Sequence, residues 1–214
     1  MIDLIILAII AVVIISKLFN ILGKTDEDFS SGQKKIDPIV EQLYKKNNIH
    51  EDKVDIEIVS AFEAGLPQHI RDVFDSIRKH DTSFNADHFL KGVKAAFNII
   101  IQAFAKNDKE SLKNLLAPSV FNDFSNAIDA RIAKKQNLEK VIVGINEVNI
   151  VGAEISGDIA TISVKIISDQ ITVLKDYLGN VLDGNAEMIV VNNDLWVFTR
   201  NLKKDKLWFL TSAC

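Results

Sequence analysis

Residues 141–166 read VIVGINEVNIVGAEISGDIATISVKI. In this stretch Ala160, Ile162, Val164 and Ile166 alternate with Thr161, Ser163 and Lys165. A period of two is that of a strand with one face on a core and the other in water. Gly157-Asp158 stands before the alternating run and signals a hairpin turn. Val141-Ile142-Val143 therefore opens the β half of the chain, and the lysine before it, Lys140, marks the change of period.

On the N-terminal side of this stretch the spacing is helical. Ile58, Val59 and Phe62 recur at helical intervals, and Gly65 and Pro67 follow as stop signals. Pro67 can open a next helix, in which Ile70, Val73, Phe74 and Ile77 repeat at three and four. The strongest helix signal begins at Asn85, a good N-cap. Phe84 and Phe89 flank it at the positions of a hydrophobic staple. Phe89, Val93, Phe97, Ile100, Ile101 and Phe104 then form one apolar stripe. Asp108 is placed to cap a short helix with Leu112, Leu115 and Leu116. Pro118 starts another, with Phe121, Phe124, Ile128 and Ile132 on one side.

On the C-terminal side, Ile189-Val190-Val191, a turn at Asn192-Asn193-Asp194, and Leu195 to Arg200 read as a second hairpin, with Lys206 to Ser212 as the closing strand. Helices first and antiparallel strands after them give an α+β domain, its helices packed on one face of a curved sheet. This domain is expected over 55–214.

Residues 1–22 have a different character. Leu4 to Ile15 is an unbroken apolar run, LIILAIIAVVII. With its flanks it covers roughly 20 residues, enough to cross about 30 Å of hydrocarbon as a helix. The anchor is read from Ile2, Leu4, Ile5, Ile6, Leu7, Ile9, Ile10, Val12, Val13, Ile14, Ile15, Leu18 and Phe19. A cleaved signal peptide would need a basic n-region and a small-residue cleavage site, and neither is seen. Lys17, Lys24, Lys34 and Lys35 all follow the run, so the positive-inside rule leaves the remainder in the cytoplasm. Residues 23–54 are polar and poorly periodic and are read as a tether.

The whole chain carries 29 acidic and 25 basic residues, a net charge of −4. That balance disfavours a nucleic-acid surface, which needs a concentrated basic patch. The single cysteine, Cys214, can form no internal disulfide and no cysteine-based zinc site. His50, His69, His80 and His88 stand at no metal-binding spacing with a carboxylate partner. No phosphate loop and no nucleophile elbow occurs. No catalytic residue, cofactor or metal is expected. The alternation places mainly apolar residues on the inner face of the sheet.

From His80 onward the residues resemble a known family. The likeness is carried by Phe84-x4-Phe89-Leu90-x-Gly92, Ala95-Ala96-Phe97, Ala103-Phe104-Ala105-x2-Asp108 and Leu115-x2-Pro118-x-Val120-x3-Phe124. It continues through Ala127-Ile128-x2-Arg131, Asp194-x-Trp196-x-Phe198-x-Arg200, and Trp208-x-Leu210 beside Thr211. In order and spacing these resemble the C-terminal domain of the import-motor tether of the mitochondrial inner membrane, translocase subunit forty-four, and its bacterial TimA-type adaptors. Family members often carry Asp-Pro-Asn-Trp before the last strand, where this chain has Asp205-Lys206-Leu207-Trp208. The long chaperone-recruiting half of the mitochondrial protein has no counterpart here.

The resemblance implies a nuclear-transport-factor-two-like cone, and a non-enzymatic adaptor at the cytoplasmic face of a bacterial inner membrane. Its implied partners are membrane lipid and protein clients or translocation and insertion machinery. A lipid-binding or catalytic cone and a ribosome tether are the alternatives, the last disfavoured by the missing basic patch. Asp194, Trp196, Phe198 and Arg200 share one strand face and are read first as core packing, with Arg200 tied to an acid at the sheet edge; the rival reading is an apolar pocket from Phe97, Ile101, Phe104, Phe121, Phe124, Trp196, Phe198, Arg200 and Trp208. Membrane-surface contact is read from Ile58, Val59, Phe62, Ile70 and Phe74, against the acidic polar side of the first of these helices.

Overall fold

Four helices and five strands follow one another in a computed structural model that describes residues 62–214. The anchor run, the tether, Ile58 and Val59 lie outside the described residues. Among the described residues no helix is long and apolar enough to cross a membrane.

The helices are α1 (Gln68–Arg78), α2 (Ala86–Ala105), α3 (Lys109–Lys113) and α4 (Pro118–Ala133). Each begins where the sequence supplies a start signal. Pro67 caps α1. The Asn85 side chain accepts from the His88 N–H, and the Phe84 and Phe89 rings of the staple lie 6.4 Å apart. The Asp108 carboxylate accepts from the Ser111 N–H, and Pro118 occupies the first turn of α4.

The strands are β1 (Asn137–Ser156), β2 (Ile159–Lys175), β3 (Val181–Gly184), β4 (Val190–Asn201) and β5 (Phe209–Ala213). They form one antiparallel sheet in the order β1-β2-β4-β5, with β3 paired to β2 beyond the end of β4. The β1–β2 register shifts three times, at Ile142/Gly144, Ile145/Glu147 and Ile150/Gly152. Such irregularities bend a strand and increase its twist, so the sheet curves around the helices.

The alternation read from β2 is what buries it. Ala160, Ile162, Val164 and Ile166 have no exposed surface, and they meet Phe74, Ile77, Phe97, Ile100 and Ile128 from the helices. Each of these valine, isoleucine and phenylalanine side chains stabilises the fold by roughly 1.5–3 kcal/mol through burial. Arg131, on α4, is buried across the C-terminal end of α2. Its guanidinium lies 4.6 Å from the Phe104 ring centroid and donates to the Phe104 carbonyl and, at 2.6 Å, to Asn107 Oδ1. Asn107 has φ of 61°, so the arginine holds a left-handed turn that ends α2.

The structure corrects three expectations. Asn192-Asn193-Asp194 is no turn: β4 pairs with β2 without a break from Val190↔Gln170 to Asn201↔Ile159. The turn-prone residues sit in a strand because that register satisfies their backbone groups. The chain turns earlier, at 176–180, where the Asp176 carboxylate accepts from the N–H groups of Leu178 and Asn180 and Gly179 has φ of 87°. Second, the closing strand starts at Phe209, which leaves Trp208 just ahead of it. Third, Ile70 and Phe74 are 1% and 0% exposed. They face the core and present nothing to a membrane surface. Phe62 is partly buried against the same core.

Candidate functional site

A groove of about 330 Å³ opens between α2, from His88 to Ile99, the end of β4 and Trp208 just ahead of β5. On the helix side the spacing of three and four brings Gly92, Ala95, Ala96 and Ile99 to one face. Three of these four side chains are a hydrogen or a methyl, so the helix backbone stands back and leaves room. The floor is Phe89 and Phe198, with ring centroids 5.9 Å apart at 89°. Trp208 forms a lip, 5.0 Å from Phe89 and 6.1 Å from Phe84. It holds this place because it precedes β5, whose Phe209 pairs with Thr199 of β4.

The rim is polar. Arg200 Nη1 donates to Asp81 Oδ2 at 2.8 Å, and its Nε donates to the Asp205 carbonyl at 3.1 Å. Asp81 also accepts from the Ser83 N–H and hydroxyl. The Ser83 hydrogen bonds, and after them Arg200, hold the Asp81 carboxyl below its ordinary range. The rim charges are therefore largely spent on each other, with His88 and Lys206 beside them. A guest would be held by apolar contact with the aromatic walls, with the rim orienting a polar end.

The residues of the pocket reading divide into two sets. Phe198, Arg200 and Trp208 line the groove. Phe97 and Trp196 do not: they are 0% and 2% exposed, with ring centroids 4.8 Å apart. They are core. Ile101, Phe104, Phe121 and Phe124 are partly buried against that core, Phe104 on Phe124 at 5.2 Å. Arg200 is tied to an acid, Asp81, as the packing reading expected.

A second feature escaped the sequence reading. Past Ile166 the inner face of the sheet turns polar. Ser168 and Gln170 are 0% and 1% exposed, and Gln170 Nε2 donates to Ser168 Oγ at 2.8 Å. Gln170 Oε1 and Asp194 Oδ2 are buried with no hydrogen-bond partner among the described residues. Burial pushes the Asp194 carboxyl up, offset in part by the Lys140 ammonium; burial pushes Lys140 down, offset in part by Asp194. The signal was in the sequence: Ser168 and Gln170 share parity with Ile166, and Asp194 shares parity with Trp196.

Residues 70–213 match the family described as the Tim44-like domain. A relative, "Uncharacterized protein RP434" of Rickettsia prowazekii (strain Madrid E), is 28% identical over 138 residues, covering 59% of this chain and 65% of the relative. The chain thus spans less than two thirds of that relative's length. Two solved structures are similar in part. The intermembrane space region of the chloroplast protein ARC6 is 13% identical, with 56% of this chain and 93% of that chain covered and a TM-score of 0.40. A putative dehydratase from the NTF2-like family of Streptomyces avermitilis is 12% identical, with 60% and 95% covered and a TM-score of 0.32. The family match runs from the first turn of α1 to the last residue of β5, more than half of the chain, and the chain belongs to the Tim44-like domain family.

Proposed function

We propose that this protein is a non-enzymatic adaptor, tethered by residues 1–22 to the cytoplasmic face of a bacterial inner membrane, which engages translocating or membrane-inserting clients or their machinery. The observation that carries this reading is the Tim44-like match across every described helix and strand from α1 to β5. The apolar run Leu4 to Ile15 supports the tether. Tethering raises the local concentration of the domain near membrane partners, so weak contacts suffice. The groove supports an exchangeable partner, because its walls are apolar and the Arg200 and Asp81 charges of its rim are paired with each other.

A photocrosslinking residue at Ala95, inside the groove, tests the reading in native membranes. Crosslinks to translocation or insertion components, or to their clients, are expected. Crosslinks to lipid alone would favour the second reading, a cone that binds a lipid or another apolar ligand, for which the volume and aromatic walls of the groove also speak.

A further inference from the structure

At the end of the sheet farthest from Arg200, β2 runs out into a hairpin with β3. The register pairs β3 with Val173 to Lys175, and Val190 and Val191 with Gln170 and Asp169, with 185–189 between them. This end is unusually apolar at its surface. Tyr177 and Leu178 at the hairpin tip are 73% and 69% exposed, and Val181, Met188, Ile189 and Val191 are each more than half exposed. Single surface hydrophobics are ordinary, but six in the fifteen residues from Tyr177 to Val191 concentrate apolar surface on one segment, as an interaction surface does.

These side chains stand on ordered turns. Asp176 accepts from Leu178, from the Asn180 N–H and from the Asn180 side chain, and Asn185 Oδ1 accepts from the Glu187 N–H at 2.8 Å. A surface held in place beforehand loses less entropy when it is covered.

The same segment is acidic. Residues 176–191 contain Asp176, Asp183 and Glu187 and no lysine or arginine. Asp169 lies opposite Val191. Of the neighbouring cations, Lys175 is tied to Glu139 at 2.7 Å, and Lys135 stands 5.9 Å from the Tyr177 ring centroid. This combination selects among occupants. An anionic bilayer surface attracts basic segments, not acidic ones. A second copy placed on a two-fold axis would set the same acids against each other. A segment with large apolar residues and several lysines or arginines satisfies both the apolar surface and the charge.

We propose that the 176–191 arm is a docking surface for a basic amphipathic segment of a partner protein. The inference deepens the adaptor reading and rests on it for its purpose, but it uses a surface apart from the groove. Its test therefore fails or succeeds independently of crosslinking from Ala95.

The test uses the full-length chain in a neutral detergent. The probe is a synthetic peptide whose leucines and lysines form one apolar and one basic helix face, with one leucine replaced by photo-leucine. The measurement is the peptide concentration giving half-maximal crosslinking, with the crosslinked residues mapped by mass spectrometry. Crosslinks within 176–191 are expected. The variants Tyr177→Ser/Leu178→Ser/Ile189→Ser and Asp183→Asn/Glu187→Gln should each raise the half-maximal concentration at least about tenfold. Glu147→Gln/Glu154→Gln, which removes equal charge from β1, should leave it unchanged. All substituted side chains but that of Glu147 and Glu154 belong to the exposed arm, and unchanged thermal unfolding shows that each variant is folded. Equal weakening by the β1 variant, or wild-type binding by the arm variants, overturns the proposal. So does an environment-sensitive dye at Leu178→Cys, in a Cys214→Ser background, that blue-shifts in phosphatidylglycerol vesicles without peptide, which would assign the arm to lipid. A dimer that the arm variants convert to monomer would overturn it in favour of self-association.

Discussion

Truncation of Trp196 to alanine separates a filled core from an open cavity. Trp196 is 2% exposed and lies 4.8 Å from Phe97 and 6.2 Å from Phe198, ring centroid to ring centroid. A buried aromatic of this kind removes about 150–250 Å² from water, or roughly 4–6 kcal/mol at 25 cal/mol per Å². Alanine keeps a small part of that, and a partly compact unfolded chain lowers it further. The expected loss is therefore about 3–5 kcal/mol, the usual range for a buried large aromatic. With a urea slope of about 2 kcal/mol per M, the midpoint should fall by roughly 1.5–2.5 M. The assay is urea unfolding of the chain lacking residues 2–22, wild type against Trp196→Ala, with and without an apolar ligand. A loss under about 1 kcal/mol, together with lost stabilisation by the ligand, would refute the assignment of Trp196 to core and place it in a binding cavity.

Four further outcomes are expected. Deleting Ile2 to Leu22 should leave a soluble, monodisperse domain, checked by size-exclusion chromatography, while the full-length chain resists carbonate and high-salt extraction from membranes; release by either would show that the run does not span. Arg131→Ala should cost about 2–4 kcal/mol, because the Phe104 carbonyl and Asn107 lose a buried charged donor; calorimetry reads the loss. Gly184→Ala should cost about 2–3 kcal/mol in the same assay, since φ is 82° and an added Cβ would come within 2.0 Å of the Thr172 carbonyl oxygen. The Asp194 carboxyl titrates above its unfolded value of 3.8, so its protonated form is the favoured one in the fold. Its contribution is complete below that value and is lost as pH rises through the folded value. Asp194→Asn should therefore stabilise the domain at neutral pH and flatten the fall in stability above pH 3.8, read by urea midpoints across pH.

The local signals in the sequence were strong because each named its own cause. Asn85, Asp108 and Pro118 begin helices through caps that need only neighbouring residues. The parity of Ala160 to Ile166 assigned a face, since a strand offers two. Asn192-Asn193-Asp194 misled for the opposite reason: turn propensity is local, whereas these residues are held by pairing with Ile166 to Ser168, more than twenty residues earlier. The candidate pocket was legible in residue type and not in depth. Phe198 and Trp196 share a strand face, yet small side chains at Gly92 and Ala95 open a groove over one of them and Phe97 closes over the other. Ile70 and Phe74 were misplaced because an amphipathic stripe does not say whether its apolar side meets a core or a lipid surface. The polar end of the inner sheet face at Ser168, Gln170 and Asp194 continued a parity already read but carried a different chemistry.

The central claim is a membrane-held adaptor whose groove meets protein partners. Its most direct measurement is photocrosslinking in native membranes from Ala95, with Thr161 on the outer face of the sheet as the control position. The account predicts discrete protein crosslinks from Ala95 that include translocation or insertion components or nascent membrane proteins, absent from Thr161 and lost when Ile2 to Leu22 is deleted. Crosslinks from Ala95 to lipid alone, or the same protein crosslinks from both positions, would contradict it.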